Sequence, residues 1–139
     1  MADQTLRRVD LTRLSLGRYR ATSASGATLD LGEGDDVFSP VELLLAAIAG
    51  CSAADVDYIT VKRSEPARFE ATMTGDKIRD EHGNRMTGLT LTFDVAFPDD
   101  EAGQAAREVL PRAMQQSHDR LCTVSRTVET ASPITVTVR

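Results

Sequence analysis

The sequence contains no tryptophan, and aromatic residues make up only 4% of its 139 positions. Proteins that bind single-stranded nucleic acid usually stack bases on aromatic side chains and attract phosphates with clustered Lys and Arg. Here 21 acidic residues outnumber 16 basic ones, and the formal net charge is -5. The composition therefore predicts that the protein has no nucleic-acid partner.

Long hydrophobic runs are also missing. The N-terminal residues include no apolar stretch of the kind found in a cleaved secretory signal. The longest apolar run, residues 41–51, is shorter than the roughly 20 residues that a membrane-spanning helix requires. We therefore expect a cytoplasmic protein without a membrane partner. With 41% hydrophobic residues, the chain is long enough to form one domain over residues 1–139.

Alternating apolar residues predict strands in three parts of the chain. Residues 6–31 alternate in short runs around a turn at Ser25-Gly26, which indicates two or three antiparallel strands. A hairpin is predicted from the alternation in residues 69–73 and 89–97, with residues 76–88 as a mobile loop. The last alternating residues, which predict a C-terminal strand, are Ile134, Val136 and Val138.

Helical signals separate these strands, so the predicted fold class is α+β. The segment Ser39-Pro40-Val41-Glu42 combines an N-cap serine, a proline in the first turn and a glutamate that completes a capping box. This helix should run to about Thr60 and, being apolar on every side, should be enclosed by protein. A second helix is predicted after Asp100 with a kink at Pro111, and a third helical piece covers residues 121–125.

The sequence has only two cysteines, Cys51 and Cys122, each on or beside a predicted helix. Two helices packed in one core can bring thiols to disulfide range. One thiolate could then attack a peroxide, and the second thiol could condense with the resulting sulfenic acid. The alternative is that both cysteines are small buried side chains that never meet.

Other catalytic or metal-binding patterns are absent from the sequence. His82 and His118 could join the cysteines at a zinc ion, but no CxxC or HxxxH spacing supports such a site. Ser52 follows Gly50 within a helix rather than on the strand-to-helix turn of a serine hydrolase. We therefore predict that the protein uses neither a metal nor an organic cofactor.

Two motifs resemble those of the OsmC/Ohr family. The run from Ser39 to Val56, centred on Cys51, resembles the central-helix signature, and Cys122-Thr-Val-Ser-Arg126 resembles the second-cysteine motif. The resemblance implies an intertwined homodimer, with antiparallel sheets wrapped around long central helices and active sites at the subunit interface. It also implies reduction of organic hydroperoxides with a dithiol reductant, with Cys51 as the peroxidatic thiol and Cys122 as the resolving thiol.

The family also uses an arginine from the N-terminal strands and a glutamate ten residues before the first cysteine. Arg18 and Arg20 are the candidates for the arginine. The glutamate position holds Val41, and Glu42 is one residue further on, about 100° around the helix. Glu42 is thus a candidate catalytic residue and, alternatively, only the partner of Ser39 in the capping box.

The peroxidase hypothesis predicts a Cys51 pKa well below the free-thiol value of about 8.5. The alternative function is non-enzymatic: an OsmC-type protein that binds a small apolar ligand at the dimer interface while its cysteines stay idle.

Overall fold

The computed structural model describes residues 5–139 and confirms the α+β class. The described residues form two compact units, one that ends at Leu44 and one that covers Leu45–Arg139. The strands are β1 (Val9–Ser15), β2 (Arg18–Ser23), β3 (Thr28–Gly32), β4 (Arg68–Asp80) and β5 (Gly83–Ala96). The helices are α1 (Pro40–Thr60), α2 (Glu101–Gln116) and α3 (Thr123–Glu129), with a π-helical turn (Ser117–Leu121) between α2 and α3.

The first unit contains a three-stranded antiparallel sheet in the order β1-β2-β3. The predicted turn is confirmed, since the Gly26 N–H donates a hydrogen bond to the Ser23 carbonyl over 3.0 Å. After β3, the chain passes through a Gly- and Asp-rich loop before α1 begins. The number and direction of the N-terminal strands therefore agree with the sequence pattern.

The start of α1 is the capping box that the sequence predicts. The Glu42 N–H donates to Ser39 Oγ over 3.1 Å, and the Ser39 N–H donates to Glu42 Oε1 over 2.9 Å. These two bonds satisfy backbone donors that would otherwise lack a partner at the helix end. The helix ends at Thr60, also as predicted.

Within one chain, α1 is buried along a single stripe. Its buried residues are Ile48, Ser52, Val56 and Thr60, which follow one another at intervals of four. The prediction that α1 is enclosed on all sides is therefore wrong for the single chain. By length and composition alone, this helix is long and apolar enough to cross a membrane, although the shorter apolar run 41–51 had not suggested it. The core helices of water-soluble proteins meet the same criterion.

The second unit contains the predicted hairpin, β4 paired antiparallel with β5. The prediction of a loop over residues 76–88 is wrong, because the strands stay paired as far as Asp80 and Gly83. Asp80 accepts a hydrogen bond from the His82 N–H over 2.9 Å, and Gly83 adopts a φ of 128°. A short turn is thus possible, and the polar residues that suggested a loop lie along a largely exposed ribbon.

The helical end of the chain leads from α2 to Cys122, which is the N-cap residue of α3. Pro111 lies inside α2, and the third helical piece is confirmed but extends to Glu129. The predicted C-terminal strand is wrong for the single chain. Among the residues described, no strand pairs with this segment, and three of its side chains are 88–96% exposed: Ile134, Val136 and Val138.

Candidate active site around two cysteines

The structure brings Cys51 and Cys122 together although they are far apart in the sequence. Both are free thiols; Cys51 is half-buried in α1, and Cys122 is fully buried. The Cys51 thiol interacts with the backbone N–H groups of Val124 and Thr123 and with the Cys122 thiol. The two cysteines are therefore neighbours in the fold, and whether they react with each other stays a prediction.

The electrostatic environment of Cys51 differs from the expectation of a depressed pKa. Burial raises the pKa of the Cys51 thiol above the ordinary value, and the neighbouring Cys122 thiol raises it further. The backbone N–H groups of Val124 and Thr123 oppose this shift without reversing it. Within residues 5–139 of one chain, no cationic side chain contributes to the shift. The single chain therefore favours the protonated thiol, which is a poor nucleophile.

Cys122 is fixed in position by hydrogen bonds on three sides. Its thiol donates to Ser125 Oγ over 3.1 Å, and its sulphur accepts from the Ser125 N–H over 3.4 Å. The Cys122 N–H donates to the Ser117 carbonyl over 2.8 Å. The π-helical turn and the first turn of α3 thus hold this thiol where Cys51 can reach it.

A chain of hydroxyl groups connects the segments that carry the two cysteines. Ser52 and Ser117 are buried with their Oγ atoms 2.9 Å apart, and Ser117 donates to Asp55 Oδ2 over 2.9 Å. Ser52 and Asp55 belong to α1, whereas Ser117 opens the turn that leads to Cys122. No motif in the sequence had indicated this series of hydrogen-bonded hydroxyl groups. The signal that could have indicated it is a serine and an aspartate three residues apart in an otherwise apolar helix.

Next to these groups lies a cavity of about 260 Å³. Its wall includes Ser52, which follows Cys51, and Ser125, which is bonded to Cys122. Pockets for drug-sized ligands usually exceed about 300 Å³, so this cavity suits a smaller molecule. Most of the remaining wall is apolar and comes from α1, the hairpin, α2 and α3: Ile48, Met73, Leu89, Leu91, Phe93, Met114 and Val128.

The charged part of the cavity wall is a histidine–glutamate pair. His118 Nδ1 lies 3.0 Å from Asp119 Oδ1, and Nε2 lies 3.1 Å from Glu129 Oε1. The hydrogen bond to Asp119 and then that to Glu129 raise the pKa of His118. No group of three or more His, Cys, Asp or Glu that could hold a metal ion occurs in residues 5–139. His118 is thus paired with carboxylates of its own chain.

The other three candidate residues lie in the first unit, where each has a carboxylate or backbone partner. Arg18 pairs with Asp36 over 2.9 Å, and Arg20 pairs with Asp30 over 2.7 Å. The hydrogen bond from the Ser39 backbone N–H, and after it the interaction with the Ser39 hydroxyl group, lowers the pKa of Glu42. The catalytic roles of Arg18, Arg20 and Glu42 therefore stay predictions.

Two antiparallel sheets, a long helix carrying one thiol and a short helix carrying the other define a small α+β protein with a two-cysteine site. The family model described as OsmC-like protein matches residues 32–137. The chain therefore belongs to the OsmC-like family, and the resemblance found in the two cysteine motifs is confirmed.

Individual proteins show the same relationship. Protein YhfA of Escherichia coli K12 is 34% identical over 120 residues, which cover 84% of this chain and 85% of YhfA. An OsmC-like protein of unknown function from Vibrio cholerae has the same fold, with a TM-score of 0.75 and 13% identity over 91% of this chain and 95% of that chain. A Legionella pneumophila structure described as an organic hydroperoxide resistance protein OsmC has a TM-score of 0.61 and 16% identity over 91% of each chain.

Proposed function

We propose that this protein reduces organic hydroperoxides with its two thiols, Cys51 as the peroxidatic residue and Cys122 as the resolving residue. The observation that carries the proposal is the interaction between a partly exposed cysteine and a fully buried one. A peroxide from solvent can reach only a thiol with some exposure. A resolving thiol needs only to reach the sulfenic acid that forms beside it.

The proposed reaction has two chemical steps and a reduction. The Cys51 thiolate attacks the terminal oxygen of the hydroperoxide, so that the S–O bond forms, the O–O bond breaks, and the alkoxide leaves and takes up a proton as the alcohol. The Cys122 thiolate then attacks the Cys51 sulphur, so that the S–S bond forms, the S–O bond of the sulfenic acid breaks, and the hydroxide leaves and takes up a proton as water. A dithiol reductant restores both thiols by exchange. A reducing cytoplasm would suit this cycle.

The cavity supports an organic substrate rather than hydrogen peroxide. Its wall is mainly aliphatic, aromatic and thioether side chains, which gain free energy by covering an apolar group. Its hydroxyl-bearing wall residues are Ser52, which follows Cys51 in the chain, and Ser125, which is hydrogen-bonded to Cys122. The Legionella relative, described as a hydroperoxide resistance protein, is consistent with this substrate class.

We also propose that the protein functions as a homodimer. Only one stripe of α1 is buried in the single chain, although the helix is apolar or small on all sides from Leu43 to Ala54. The C-terminal segment also leaves Ile134 and Val136 exposed in one chain. A second copy covering these surfaces would remove a large apolar area from water. Sedimentation velocity should show a dimer at micromolar concentration; a monomer would contradict the proposal.

Mass spectrometry after peroxide treatment tests the two-thiol chemistry directly. One equivalent of cumene hydroperoxide should produce an intramolecular disulfide between Cys51 and Cys122, detected as the loss of two hydrogens and as a cross-linked peptide pair. The physical reason is that the thiols already interact in the reduced protein. Two unmodified thiols, or a sulfinic acid on Cys51 without a disulfide, would contradict the assigned roles.

A second candidate function is the binding of a small apolar ligand without chemistry. Two observations favour it: the pKa of Cys51 is raised, which favours the unreactive protonated thiol, and the wall of the cavity is mainly apolar. The same peroxide treatment separates the two functions. An inert Cys51 would keep its thiol in the presence of excess peroxide, whereas a peroxidatic one would not.

A further inference from the structure

The buried hydroxyl chain determines which way the Ser52 hydroxyl group points its proton. Ser117 donates its single hydroxyl proton to the carboxylate of Asp55. The bond between Ser117 Oγ and Ser52 Oγ, 2.9 Å long, must therefore use the proton of Ser52. Ser52 has no second hydroxyl proton to offer, so only its oxygen lone pairs remain for any other partner.

Ser52 is also one of the residues that line the cavity. It is 6% exposed, whereas Ser117 is fully buried and does not line the cavity. The other hydroxyl in the wall, that of Ser125, accepts a hydrogen bond from the Cys122 thiol and keeps its own proton to donate. The two serines of the cavity thus have opposite hydrogen-bonding roles.

We infer that Ser52 is the acceptor that selects ligands of this cavity, and that the cavity prefers a small, uncharged apolar molecule carrying an O–H donor. The inference rests on the proposed function only in the identity of the natural ligand. An alkyl hydroperoxide has such a donor on its terminal oxygen, the atom that Cys51 would attack. A hydrogen bond from this O–H group to Ser52 would hold the terminal oxygen at the residue next to Cys51 in the sequence.

Binding of two matched probes to the reduced protein tests the inference without any turnover. Cumyl alcohol carries an O–H donor, and cumyl methyl ether has the same apolar body with an acceptor only. Cumyl alcohol should bind about fivefold more tightly, the effect of one neutral hydrogen bond. Titration calorimetry measures both dissociation constants. Equal constants, or tighter binding of the ether, would overturn the inference.

Three variants locate the origin of this preference. In Ser52→Ala the two dissociation constants should come within about a factor of two, because the acceptor is lost. In Ser117→Ala the Ser52 proton is freed to point into the cavity, so the ether should gain affinity relative to the alcohol. Ser125→Ala is the matched control and should keep the preference for the alcohol. If Ser125→Ala alone lost the preference, Ser125 rather than Ser52 would be the residue that selects the ligand, and the inference would be wrong.

Failure of this inference and failure of the proposed function give different results. If the protein turns over cumene hydroperoxide but does not distinguish alcohol from ether, the peroxidase proposal stands and the role of Ser52 is wrong. If it distinguishes the two probes but never oxidises Cys51, the selection by Ser52 stands and the protein is a binding protein. Circular dichroism of Ser52→Ala and Ser117→Ala must match that of the wild type, so that a lost preference reports the hydroxyl group rather than misfolding.

Discussion

Replacing Cys51 by serine should abolish turnover of cumene hydroperoxide, lowering kcat/KM by at least about 1000-fold, because the substitution removes the nucleophile of the first step. Serine is close to cysteine in size and should leave the fold intact. The measurement is peroxide consumption by the purified protein with a dithiol reductant, for cumene hydroperoxide and for hydrogen peroxide. Because the cavity is mainly apolar, we expect the wild type to prefer the organic peroxide.

Cys122→Ser is the matched control for this experiment. It should still consume one equivalent of peroxide in a single turnover, since Cys51 remains, but it should then accumulate a sulfenic acid that oxidises further. A Cys51→Ser protein that retains multiple turnover would show that Cys51 is not the nucleophile. A wild-type dimer that consumes neither peroxide would favour the ligand-binding function.

A peroxidatic Cys51 requires a cation beside its thiolate. Removing the arginine that stabilises the thiolate and the departing oxyanion should lower kcat/KM by about 100-fold or more. We propose that Arg18 or Arg20 supplies this cation in the assembled protein. Arg18→Met and Arg20→Met, measured side by side, should identify it, because only one should show the large loss. Arg13→Met, on the neighbouring strand β1, is the matched control.

The pH dependence of Cys51 alkylation separates a catalytic arginine from a structural one. In one chain the pKa of Cys51 is raised, so the thiolate forms only as the pH rises above the ordinary thiol value. A nearby arginine favours the thiolate and moves the inflection below about 8.5. Loss of that arginine should move the inflection up again. If wild type and both variants share an inflection above the free-thiol value, the arginine proposal is wrong.

Glu42→Gln separates the two roles proposed for this glutamate. A glutamine oxygen can still accept the hydrogen bond from the Ser39 N–H, so the capping box should survive. If Glu42 serves only as a cap, kcat/KM should stay within about twofold of the wild type. A loss as large as that of the arginine variant, with unchanged thermal stability, would place Glu42 in catalysis instead.

Local signals in the sequence predicted the elements whose formation depends on neighbouring residues. The capping box at Ser39 is an example, since all its partners lie within four residues of one another. Elements that depend on distant partners were predicted less well. The C-terminal residues alternate like a strand, but a strand forms only by pairing with another strand, and none of the strands in residues 5–139 pairs with this segment. The prediction of a loop at the hairpin tip was wrong because backbone pairing between β4 and β5 continues through polar residues that do not look like strands in the sequence.

The sequence by itself determined the α+β class, the start of the central helix, the family and the choice of the two cysteines as candidate catalytic residues. These features are encoded in periodicity and in short contiguous motifs. Only the tertiary structure decided that the two thiols interact, that Ser117 links Ser52 to Asp55, and that burial raises the pKa of Cys51. Packing between segments more than 60 residues apart creates each of these contacts. A sequence pattern with a period of two to four residues contains no information about such distances.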